Sequence, residues 1–197
     1  MNKSFGLLEV KGLAAAYYAL DKMLKSTEIK YVTNEKELGA GLSTIIIEGN
    51  ISAVKIALEE GRKEASMISD VLTAAAINNP HPEIASFIYQ KNKRKKKIIS
   101  RNMAIGFIEI FGYAASLVAA DQALKSSNIT LLGLDKTKGK PHTPGLIMFL
   151  KLAGSTADVK TAVAIALRTS EKLTGSTAHS IISRSEEMLN KLIKEGI

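Results

Sequence analysis

The chain opens with an apolar run, Phe5 to Val10, that ends near Gly12 and gives way to an alanine-rich stretch. There the apolar positions Leu13, Ala16, Leu20 and Met23 or Leu24 recur at the spacing of one helix face. A short β-branched segment (Ile29 to Thr33), a glycine-bearing loop and a strongly apolar segment (Ser43 to Ile47) predict two further strands. Asn50 then stands where it can cap the free amides of a second helix running to about Ala65. A fourth strand, about Ile68 to Ile77, and a terminal helix complete the unit.

The whole order then repeats. A strand at Ile105 to Ile110 is followed by an alanine-rich helix, a segment at Ile129 to Leu132 and a strand at Leu146 to Leu152. A helix beginning at Ser155 and running to about Lys172, a strand at Ala178 to Ser183 and a terminal helix follow. Residues 6 to 36 align without a gap to residues 106 to 136, and twelve of those thirty-one positions are identical, among them Gly6, Glu9, Gly12, Asp21, Lys25 and Lys36. Beyond them the register slips by five, so that Gly49-Asn50 faces Gly154-Ser155, and the second copy carries five extra residues in one loop. Self-similarity of this kind fixes the organisation before any motif is weighed. The fold class expected is α/β (α+β), with two tandem ferredoxin-like βαββαβ domains, each one sheet with helices on one face. The expected bounds are 1–90 for the first domain, 91–102 for a linker and 103–197 for the second. Sheets of this kind leave open edges, and edges invite lateral association.

Charge changes the picture little. Of a formal +8, six charges sit in Lys91, Lys93, Arg94, Lys95, Lys96 and Lys97, and without them +2 remains. The basicity belongs to the linker, with no aromatic platform beside it, so no nucleic-acid partner is expected. The stretch Met103 to Ala120 carries one charge, Glu109, but Gly106 and Gly112 punctuate it as a strand turning into a helix, and no membrane span is expected. Nothing in MNKSFGLLEV resembles a secretory signal, which makes the cytoplasm the expected location. The absence of cysteine removes thiolate metal sites, cysteine-held clusters and cysteine nucleophiles.

GLLEVKGLAAAYYALDKMLKS and GFIEIFGYAASLVAADQALKSSNITLLG, followed by EGNISAVKIALEEG and AGSTADVKTAVAIA, resemble the bacterial microcompartment shell domain in both copies, in unpermuted order. Among tandem members the chain is most similar to the propanediol-utilisation type. The resemblance implies a shell tile: a homotrimer with pseudo-sixfold symmetry, a central pore for metabolites, and other shell proteins, hexameric and pentameric, together with encapsulated enzymes, as partners. A cysteine in the first pore loop holds a cluster in that type; here Leu38 stands in its place, so no cofactor is expected.

By the same resemblance the loops before the third strands line the pore. They are Leu38, Gly39, Ala40 and Gly41 in the first copy, and Lys138, Gly139, Lys140 and His142 within the longer KTKGKPHTPG loop of the second. Inward-pointing Lys138 and Lys140 would favour anionic metabolites; otherwise the loop is simply solvated. His142 is read as polar surface and no metal site is assigned. Lys25 and Lys125 occupy the tile-edge lysine position of the family, and each also stands one turn after Asp21 or Asp121, a helix-surface pairing compatible with it. Pro80 and His81 form the family's turn before the terminal helix, with Arg184 as the substitute in the second copy. No catalytic residue is assigned: the chain has no GxSxG, no GxxxxGK[ST] and no GxGxxG after a strand. The alternative function is a trimeric ferredoxin-like ligand-binding regulator.

Overall fold

The computed structural model describes residues 3–36, 38–89, 103–137 and 146–186, with Leu189 and Ile193 beyond them. The first copy runs β1 (Ser4–Lys11), α1 (Leu13–Ser26), β2 (Lys30–Glu35), β3 (Leu42–Gly49), α2 (Ile51–Ser66), β4 (Val71–Ile77) and α3 (Pro82–Tyr89). The second runs β5 (Ala104–Phe111), α4 (Tyr113–Ser126), β6 (Ile129–Thr137), β7 (Ile147–Gly154), α5 (Thr156–Glu171) and β8 (Ser176–Ile182). The linker and most of the second terminal helix lie outside the described residues.

Each copy forms a four-stranded antiparallel sheet, in the orders β2-β3-β1-β4 and β6-β7-β5-β8. This is the expected ferredoxin-like order. The supposed membrane candidate is a strand, β5, followed by a helix, α4. The capping residues are also as read: Asn50 Oδ1 accepts from the Ala53 amide at 2.8 Å, and Ser155 Oγ accepts from the Asp158 amide at 3.1 Å. β4 starts at Val71 and not at Ile68, because the amides of Ile68 and Ser69 both turn back to the Ala65 carbonyl and close α2. An apolar residue there finishes a helix and does not begin a strand.

Strand alternation gives every sheet two faces. In the first copy Leu8, Val10, Ile45 and Ile47 pack with Ala16, Ala19 and Met23 of α1 and with Val54 and Ala57 of α2. The opposite face carries Phe5, Leu7 and Ile46, and these belong to one continuous core with Ile84 and Ile88 of α3 and with Tyr113, Ala114 and Leu117 of α4. The expectation of helices on a single face is therefore corrected. α3 crosses to the other side, where Tyr89 meets Phe5 edge-on at 5.4 Å, and the second copy lays α4 against that side as well. α4 is consequently packed between two sheets, and ten of its fourteen residues are buried, against four of fourteen in α1.

Candidate functional site

The seam between the copies is built around Glu9. α4 begins after Gly112, which has no side chain to cap it, so its first amides need an acceptor from elsewhere. Glu9 supplies it across the seam: Oε1 accepts from the Tyr113 amide at 3.1 Å and Oε2 from the Ala114 amide at 2.8 Å. A carboxylate at a helix N-terminus also meets the positive end of the macrodipole. A register shift in the β1–β4 pairing falls between Glu9 and Val10, the kind of irregularity that re-aims a side chain. Gly112 sits at φ +84°, and a Cβ there would approach Glu9 Oε2 to 3.1 Å, so conformation and space both call for glycine. Burial pushes the Glu9 carboxyl above its ordinary pKa, while the Ala114 and Tyr113 amides pull it back. Thr44 and Thr73 flank Glu9 on the neighbouring strands, buried, and their hydroxyls find no partner among the described residues.

A second polar group closes one end of the seam. Asp121 is wholly buried; its Oδ1 accepts from the His81 amide at 2.8 Å and its Oδ2 pairs with Lys125 at 2.5 Å. Lys125 Nζ also donates to the Asn78 carbonyl at 2.9 Å. Nearby, Glu83 Oε2 accepts from the Leu131 amide at 3.0 Å. The structure thus brings Lys125 together with the turn that holds Pro80 and His81, inside one chain. Lys25 lies elsewhere, exposed and paired with Asp21 at 2.7 Å, and Arg184 is exposed.

At the loop end, Gly39, Ala40 and Gly41 all have positive φ (81°, 51° and 72°), a tight turn in which the Leu42 amide donates to the Gly39 carbonyl. The Gly41 carbonyl accepts from the Gly12 amide at 2.7 Å, tying this loop to the start of α1. The Leu38 side chain is buried in the core, so what this loop exposes is Gly39 to Gly41. Lys138, Gly139, Lys140 and His142 lie outside the described residues. The base of their loop is placed: Lys136 Nζ pairs with Glu35 at 2.8 Å and approaches the Lys36 carbonyl at 3.4 Å, so the two loops leave from adjacent strand ends. Among the described residues no group of three or more His, Asp or Glu side chains could hold a metal ion, and no helix is long and apolar enough to cross a membrane.

Glu9 and Glu109 recur at the same place in two apolar strands, and the spacing alone gives them no task. Their signal was an acid kept at an otherwise apolar position before a glycine. The tasks of Glu83 and Glu35 had no such signal, because their partners lie forty-eight and one hundred and one residues away.

The seam also has two unmatched halves. Leu13, Tyr17 and Leu24 are 45%, 48% and 44% exposed, whereas their counterparts Tyr113, Leu117 and Leu124 in the seam are 6%, 0% and 5%. Conversely Ala178 and Ser180 of β8 are exposed, where their counterparts Thr73 and Ala75 of β4 are buried and half-buried. One chain therefore presents an α1 face like the covered α4 face, and a β8 face like the covered β4 face.

Comparison with known proteins recognises both copies. The BMC domain matches twice, at residues 4–80 and 104–185. The chain is 27% identical over 197 residues to the bacterial microcompartment shell protein PduT of Citrobacter freundii, with all of both chains covered. The shell protein PduA of the same organism is 36% identical over 87 residues, covering 44% of this chain and 92% of PduA. A solved microcompartment protein from Desulfitobacterium hafniense superposes with a TM-score of 0.73 at 26% identity, covering 97% of this chain and 99% of the other. These relatives are shell proteins and not enzymes, and the chain belongs to the BMC-domain family as a microcompartment shell protein of the tandem-domain type.

Proposed function

We propose that the chain is a shell tile in which three copies close head to tail into a pseudo-sixfold ring around an opening. The observation that carries this reading is the seam itself. Its two halves recur uncovered at opposite ends of the chain, on α1 and on β8. A head-to-tail contact that repeats must close into a ring or run on as a filament, and closure suits a shell component.

In that ring Gly39, Ala40 and Gly41 line the opening from the first copy, beside Leu38, and Lys138, Gly139, Lys140 and His142 from the second. The ammonium groups of the second loop favour small anionic metabolites. Lys25 and Lys125 stand at the tile edge, with Pro80, His81 and Arg184 at the corners. The neighbours there are other shell proteins, as the likeness to PduA supports, and the enclosed face meets encapsulated enzymes. The tile works in the cytoplasm, within the compartment wall.

Light scattering is expected to give three times the 21.2 kDa chain mass, and negative-stain images flat hexagonal particles that join into sheets. Lys25→Ala, which leaves the Lys125–Asp121 pair of the seam intact, is expected to abolish the sheets and spare the ring. A single chain in solution overturns the reading. A trimer that never tiles, even beside hexameric shell proteins, returns the function to a ligand-binding regulator.

A further inference from the structure

We propose that Glu109 is one half of a helix-capping site whose other half, the N-terminus of α1, comes from a second copy of this chain. The inference rests on the ring reading above and names the polar contact that sets its register. Glu109 holds the position of Glu9 one hundred residues later, and the β5–β8 pairing shifts register between Glu109 and Ile110 as β1–β4 does between Glu9 and Val10. Its carboxylate is carried at the same place on the sheet, but in the single chain it is half-buried, with Thr177 Oγ1 donating to Oε2 at 3.0 Å.

The receiving end is equally unfinished. α1 starts after Gly12 at φ +88°, with no side-chain cap, and the exposed Leu13 and Ala14 stand where Tyr113 and Ala114 donate to Glu9. A Cβ on Gly112 would meet the Glu9 carboxylate, whereas one on Gly12 would meet nothing within 4 Å. The space that Glu9 fills beside Gly112 is thus empty beside Gly12. A second copy seating its Glu109 there would accept from the Leu13 and Ala14 amides. Two charge-assisted hydrogen bonds at a helix N-terminus fix orientation as well as adding affinity.

The new site is not a replica of the inner one. Phe149 and Ala178 pair with Glu109 where Thr44 and Thr73 pair with Glu9. Phe149 stacks on Phe107 at 5.2 Å, which gives the neighbour's α1 an aromatic floor. Thr177, a hydroxyl donor whose place in β4 is taken by Leu72, holds the carboxylate before the partner arrives.

A double-mutant cycle read as the dissociation constant of the ring tests the site. Glu109→Gln is expected to weaken assembly at least tenfold in the wild-type background. Leu13→Pro removes one donor while proline suits the first helical position, so in that background the same change is expected to cost at least threefold less. In the control background Leu13→Ala, which keeps the amide, the full tenfold is expected to return. Circular dichroism of the dissociated chains, unchanged across the set, excludes misfolding; if Glu109→Gln alone misfolds, Glu109→Asp takes its place with the same comparison. A wild-type trimer indifferent to Glu109→Gln, or equally weakened in all three backgrounds, overturns the capping site and leaves the ring intact. A wild-type chain that stays single removes the ring and the site together.

Discussion

α1 and α4 are the same helix twice, fourteen residues each, begun by a glycine near φ +85° and ended by Lys-Ser, yet one is mostly exposed and the other mostly buried. The difference is not in the fold they belong to, because each lies on its own sheet in the same way. It lies in the second surface. α4 has the opposite face of the first sheet over it, with Glu9 on its N-terminus and the Asn78–His81 turn against Asp121 and Lys125. α1 has no such cover in the single chain. Covered and uncovered versions of one element show what a partner would contribute, residue by residue.

The largest expected effect breaks the covered version. Leu117→Ala opens a cavity in the seam and is expected to cost about 2–5 kcal/mol of unfolding free energy, read by denaturant titration. Its counterpart Tyr17→Ala is expected to leave unfolding of the dissociated chain unchanged and to lower the assembled mass. If the two variants behave alike, the uncovered helix is not an interface.

A smaller effect separates the two aspartates. Asp121→Ala leaves the His81 amide and Lys125 without their buried acceptor and is expected to cost about 1–3 kcal/mol by the same titration. Asp21→Ala breaks only an exposed i, i+4 pair and is expected to stay within about 0.5 kcal/mol. Equal losses would mean that the Asp121 corner is surface-like in solution.

How much of this was legible beforehand divides along the same line. Among the described residues, period and repeat were enough to place the strands and helices of both copies, apart from the start of β4, because local apolar spacing decides which face meets the domain's own core. Asn50 and Ser155 were readable as caps, since their hydrogen bonds reach only three residues. Glu9 on Tyr113, Glu83 on Leu131 and Lys136 on Glu35 were not, because each contact exists only once two separate sheets are stacked. The resemblance supplied the edge and pore positions, yet the inward turn of Leu38 and the place of His81 within the seam depend on side-chain packing that no spacing encodes.

Glu9 offers a subtler break, through pH. Its folded pKa is raised above the ordinary 4.5 by burial, so the folded chain holds that proton more tightly than the unfolded one. The contribution to stability is then fully present below 4.5 and is lost as pH rises through the folded value. Subtracting the unfolding curves of Glu9→Gln from those of wild type is expected to leave that downward slope, since glutamine does not titrate. A flat difference would mean that the two amides hold the carboxylate charged despite its burial.

The smallest expected effect lies at the loop end. Lys136 and Glu35 form a partly exposed ion pair, and Glu35→Gln is expected to change stability by about 0–1 kcal/mol, because solvent and salt screen such pairs. By the repeat, Asp135 and Lys36 are the counterparts of Glu35 and Lys136; within the chain Asp135 pairs with Lys151 and Lys36 lies over the Tyr17 ring at 5.3 Å, and in the proposed ring Lys36 would meet the Asp135 carboxylate of the neighbouring chain. Lys36→Met should therefore leave unfolding of the single chain unchanged and make ring dissociation less sensitive to salt, while Glu35→Gln should leave that salt dependence as it was. Equal salt slopes in the two variants would place Lys36 away from any neighbour and open the ring at its loop end.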